Sequence, residues 1–82
     1  MGDVTSAELF AEADGLIHRA RVREQIAQDR YDAAAREQGF GTLMFFKYMD
    51  QVDADRKEAR QLRELARRYR DTAIRVRDEL GR

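Results

Sequence analysis

Two carboxylates and one polar triplet are the residues of this chain whose types and spacing could do chemistry. Glu24 and Asp55 each interrupt an otherwise apolar helical series, and if the chain folds back on itself near its middle they fall at the same level. Two carboxylates meeting in an apolar seam would repel one another or recruit a cation. A two-fold dimer could gather four of them, as in di-metal helical bundles. Those bundles also place histidines at set spacing, and the single histidine here, His18, has no second imidazole, no cysteine and no HExxH or ExxH pattern around it. Glu24 and Asp55 are therefore expected to form a polar layer that fixes register, neutralised by Arg23 or Arg56. Neither a metal nor a cofactor is expected. The GFG at 39–41 has no strand before it and no GK[ST] after it, so it is not a phosphate loop. No nucleophile has a base at usable spacing, and the chain is expected not to be an enzyme.

Arg21, Gln25 and Asp29 recur at i, i+4 and i+8, which places them on one face of a helix, with Asp14 before them. Their spacing is similar to part of the E-x3-S-x2-R-x3-Q-x3-D signature of helical anti-sigma factors that bind cyclic di-GMP. His18 stands where that signature has serine, and Asp14 where it has glutamate. The resemblance implies a nucleotide-binding regulator in which Arg21 and Asp29 would read guanine edges, with Arg21, Gln25 and Asp29 as the ligand-binding residues. The C-terminal half offers no clean second copy.

These residues need elements to hold them. Thr5-Ser6-Ala7-Glu8 reads as a capping box that starts a helix near residue 6. Phe10, Ala13, Ile17, Ala20, Glu24, Ala27, Tyr31, Ala34 and Gln38 then recur at alternating steps of three and four, with Leu9 and Leu16 widening the stripe. Gly15 lies inside this run at a cost of about 1 kcal/mol against alanine. Gly39 is expected to end the helix as a C′ residue in the left-handed region. Thr42 can cap a second helix, whose series is Phe45, Tyr48, Val52, Asp55, Ala59, Leu62, Ala66, Tyr69, Ala73, Val76 and Leu80. The expected fold is all-α: a long antiparallel hairpin of helices at about 6–38 and 42–80, one domain over 1–82, dimerising into a four-helix bundle.

Charge placement favours the same hairpin. Residues 1–38 carry eight acids against five arginines, and residues 60–77 carry seven arginines against two acids. A turn centred on Phe40 makes facing residues sum to about 80, setting Glu8, Glu12 and Asp14 beside Arg67, Arg68, Arg70 and Arg75, and Arg23 beside Glu58. The arginine-rich segment is thus expected to pair within the hairpin, which makes nucleic acid an unlikely partner. An alternative division breaks the first helix at Gln28-Asp29-Arg30 and gives a three-helix bundle. In that form RYDAAAREQGF followed by KEARQLRELARRY looks like the MIT domain, a three-helix microtubule-interaction and trafficking module. That resemblance implies an adaptor that binds peptide helices in its grooves.

Composition limits the rest. A chain of 82 residues without cysteine buries only roughly 60% of its unfolded surface and has no disulfide staple, so a homodimer is expected. No apolar run is long enough to span a bilayer, no basic-then-apolar leader opens the sequence, and a cytoplasmic location is expected. Arginine exceeds lysine fourteen to two, as in GC-rich, bacterial coding. Residues 38–49, QGFGTLMFFKYM, gather three of the four phenylalanines and two of the three methionines beside paired glycines, and a two-helix seam cannot cover apolar side chains that point in nearly every direction. Phe40, Leu43, Met44, Phe46 and Met49 are therefore the expected interface for a protein partner or a second copy, in a small non-enzymatic interaction or regulatory module.

Overall fold

The structure, a computed structural model, describes residues 4–81; residues 1–3 and 82 of the expected domain lie outside the described residues. Two helices form, α1 (Ser6–Gln38) and α2 (Leu43–Leu80), and they pack against each other as an antiparallel hairpin 56 Å long. Thr5 caps α1: its hydroxyl accepts from the Glu8 amide at 3.2 Å, and the Glu8 carboxylate accepts from the Thr5 amide at 3.4 Å. The α2 C-terminus closes at Gly81, which takes the left-handed conformation and donates its N–H to the Arg77 carbonyl at 3.0 Å.

The break at Gln28-Asp29-Arg30 that the alternative three-helix division requires does not occur. From Leu16 to Gln38 there is no glycine or proline, and two side-chain bonds one turn apart brace the segment: Gln25 to Asp29 and Gln28 to Asp32, each 2.9 Å. The three-helix alternative is thereby excluded, and with it the fold on which the MIT likeness depended.

The seam is built from small residues at intervals of seven. Ala13, Ala20, Ala27 and Ala34 are buried on α1, and Phe45, Val52, Ala59, Ala66 and Ala73 on α2. Alanine at the contact lets two helix backbones approach more closely than leucine would. Larger members of the two series, Phe10, Ile17, Tyr31, Leu62 and Tyr69, are consequently pushed to half-buried flanks. Ala13, Leu16 and Ala66 form one cluster, with Ile17, Leu62 and Tyr69 packed around it. Val52 is the largest side chain fully shielded from solvent.

Positions three and four residues after each buried alanine lie on opposite sides of the column, because each residue advances about 100° around the helix. One flank of α1 therefore carries Arg23 and Arg30, and the other carries Glu24 and Tyr31. The same rule puts Asp55 on one flank of α2 and Arg56, Arg63 and Arg70 on the other.

The connection is short and closed by one hydroxyl. Thr42 Oγ1 accepts from the Phe45 amide at 3.1 Å and donates to the Gly39 carbonyl at 3.1 Å. Gly39 has φ 74° and ψ 150°, which differs from the left-handed helical cap expected and lies in a region open in practice only to glycine. Gly15 is the contrasting case: an added Cβ would meet nothing within 4 Å, and the backbone there is helical. Gly15→Ala should stabilise the hairpin by about 1 kcal/mol, and Gly39→Ala should destabilise it by about 1–3 kcal/mol. Urea titrations followed by circular dichroism should show midpoints moving in opposite directions.

Candidate functional site

Two groups of side chains stand out from the hairpin: a polar layer at mid-length and an apolar tip. Asp55 is buried at the seam, its side chain only 7% exposed. Arg30 Nη1 donates to Asp55 Oδ2 at 2.5 Å, and Arg23 Nη1 lies 3.5 Å from Oδ1 while its Nε sits 3.3 Å from the Glu58 carboxylate. Helical side chains lean toward their own N-terminus, which lets Arg30 reach back along the seam to Asp55. Arg23 and Arg30 are each nearly half exposed, so the carboxylate is capped from the solvent side by two flexible cations. No buried side-chain nitrogen or oxygen among the described residues lacks a hydrogen-bond partner.

Glu24 is not in this layer. It lies on the other flank, about half exposed, where Arg63 donates through Nη2 at 2.5 Å and through Nε at 3.3 Å. The hydrogen bond from Arg63 holds the Glu24 carboxyl below its ordinary value, the nearby Arg21 charge adds to the effect, and the same bond raises Arg63. The two carboxylates thus occupy opposite flanks, Asp55 with Arg23 and Arg30 and Glu24 with Arg63. Arg56 stacks instead on Tyr31, 5.9 Å from the ring centroid. Of the cross-helix pairs expected from charge placement, Arg23 with Glu58 and Arg70 with Asp14 form, the latter at 3.7 Å.

Arg21, Gln25 and Asp29 are all exposed on α1, and Gln25 donates to Asp29 at 2.9 Å. They lie on the side of α1 away from the alanine column, so the hairpin alone provides them with one wall and no enclosure. His18 is likewise exposed. Among the described residues no three histidine, aspartate or glutamate side chains converge, and no helix is long and apolar enough to cross a membrane.

The tip is a cluster of rings around one anchor. Phe45, the last large residue of the buried column, meets Tyr31 edge-on at 6.0 Å, Phe40 at 5.3 Å and Phe46 at 5.9 Å, and Phe40 also meets Tyr31 at 6.1 Å. Around that anchor Phe40, Leu43, Met44 and Phe46 are 69%, 73%, 44% and 57% exposed, and Met49 is half-buried one turn further along α2. Met44 precedes Phe45 and flanks one side of the column, Phe46 follows it and flanks the other, and Leu43 points to the back. The apolar surface therefore wraps the end of the hairpin and does not run along a side.

No protein-family model, curated protein or solved structure matches this chain. Function has to be read from its own side chains. Arg30 and Arg63 are the partners that sequence reasoning missed, although Arg30 follows Arg23 by seven residues on the same flank. Removing one cation from the buried carboxylate differs from removing the carboxylate itself. Arg30→Ala should destabilise by about 1–3 kcal/mol, whereas Asp55→Leu, which continues the apolar seam and frees both arginines to solvent, should be neutral or stabilising. Chemical denaturation of the two variants checks the contrast.

Proposed function

We propose that this chain is a small, non-enzymatic interaction or regulatory module of the cytoplasm that acts as a homodimer. Four helices come together at an interface centred on Phe40, Leu43, Met44, Phe46 and Met49. The observation that carries this reading is the uncharged, aromatic and methionine-containing surface at the tip, where large apolar side chains adjoin one another in solvent. Contiguous apolar surface of this kind marks interaction sites, and aromatics with methionine are enriched at them. The thin alanine seam gives a second reason. With Val52 as the largest fully buried side chain, one hairpin buries little apolar area for its length, and association adds what the seam lacks. Phe46→Asp should abolish the dimer: its ring is more than half exposed, and a carboxylate there would be desolvated at the interface without a partner. Light scattering at micromolar concentration should give the monomer mass for the variant, and an unchanged dimer mass would refute the assignment.

A second reading is favoured by one observation. Gln25 and Asp29 are already hydrogen-bonded to each other and, with Arg21, present donors and acceptors on one exposed stretch of α1. A cyclic dinucleotide such as cyclic di-GMP, held between two copies of that surface, would use them. Thermal-shift measurements with cyclic dinucleotides should then show a rise in Tm that Arg21→Ala removes. No rise would dispose of this reading.

A further inference from the structure

Two hairpins could meet along their sides or at their ends, and the surface of this one discriminates between the arrangements. A side-by-side bundle over the full length needs an apolar stripe beside the seam on at least one flank. Over the middle of the hairpin both flanks are instead closed by charge. One carries Arg23, Arg30, Asp55 and Glu58, and the other carries Arg63 with Glu24, Arg70 with Asp14, and Arg56 on Tyr31. Docking a second copy there would strip water from several ion pairs whose groups gain no new partner, a desolvation cost that buried pairs rarely recover. Outside the tip the exposed large apolar residues are Val4, Val22, Leu65, Ile74 and Leu80. Leu65 adjoins the half-buried Leu9 and Tyr69, and Val22 adjoins Leu62, but Arg68 stands in the first group and Arg19, Arg23 and Glu58 in the second, so neither is an uncharged surface like the tip.

The end is different. Residues 38–46 carry no charge, and the first turn of α2 has no acidic residue. The exposed parts of Phe40, Leu43, Met44 and Phe46 amount to apolar surface on the order of 500 Å2. Two such caps would bury on the order of 1,000 Å2, which sits at the threshold for a specific interface. A patch without charges or unpaired side-chain polar groups also has no polar code for a foreign partner, whereas a second copy offers the same apolar shape across a two-fold axis.

We propose that the homodimer forms end to end. The loops and first turns of α2 from two hairpins interlock, the four-helix contact is confined to residues 38–46 and Met49 with Lys47 at its rim, and the two charged bodies point away from each other. This inference rests on the homodimer reading above. The rod would be close to twice the 56 Å length of one hairpin.

Small-angle X-ray scattering across a concentration series tests the arrangement. An end-to-end dimer gives a maximum dimension approaching twice that of the monomer as concentration rises. A dimer mass with a maximum dimension near that of one hairpin would overturn the end-to-end arrangement and leave the homodimer standing. A monomer mass at every concentration would overturn both and leave the tip to another partner. Leu43→Glu separates folding from association, because Leu43 is the first residue of α2, where an acid favours the helix dipole. This variant should keep its helical circular dichroism and lose at least about tenfold in dimer affinity. The chain has no cysteine, so single substitutions report proximity cleanly. Met44→Cys should cross-link between copies on oxidation and Gln61→Cys should not, and the reverse pattern would refute the proposal.

Discussion

The close approach of two helices along a column of alanines is the constraint on which this structure depends. A methyl group every seventh residue over most of the column brings the backbones together and leaves little central space for large side chains away from Leu16, Phe45 and Val52. Every bulky or charged residue beside the column must therefore lie to one side of it. The arginine and acid pairs close the flanks for that reason. They sit where a wider hairpin would have placed leucines, and their long stems cover the seam while the charged heads stay in water. The apolar tip follows from the same geometry: where the alanines give way to Phe45, the helices carry more ring surface than two backbones can enclose.

A column of alanines at a constant interval has a weakness, because along Ala59, Ala66 and Ala73 a shift of one heptad would still seat alanine against alanine. Two features remove that degeneracy. The connection from Gly39 to Thr42 is too short to permit a slip without melting the tip, since Thr42 ties the end of α1 to the start of α2 through one hydroxyl. Asp55 is the only charged residue buried among the described residues, and it finds two cations only in the observed register. A buried charge of this kind contributes less to stability than to the choice between near-equivalent packings.

Much of this architecture is legible in the sequence because it is written as periodicity and capping, both local properties. The alternating series locate the two helices, Thr5 and Glu8 mark a start, and the glycines around Phe40 mark the reversal. Glu24 shows where that legibility stops. Its place in the apolar series put it beside Asp55, yet a residue four positions after Ala20 and one three positions after Val52 fall on opposite flanks once the helices are close, and Arg63 waits on that side. The distinction depends on interhelical distance, which periodicity does not encode. The conformation of Gly39 was hidden for a similar reason: the positive φ follows from the residue type, whereas ψ is set by Thr42 drawing the loop closed. The tip residues were visible as a surplus, but that they encircle one end and do not line one face is a property of the assembled hairpin.

A seam of methyl groups also has a thermal signature. The heat capacity of unfolding rises with the apolar surface newly exposed and falls with the polar surface exposed alongside it. A hairpin that hides mostly alanine and peptide groups releases little of the first and much of the second. Its stability curve against temperature should accordingly be shallow, changing slowly between cold and heat, with a broad unfolding transition in place of the steep dome of a leucine-filled domain. The closeness that makes the hairpin narrow also makes it thermally unhurried.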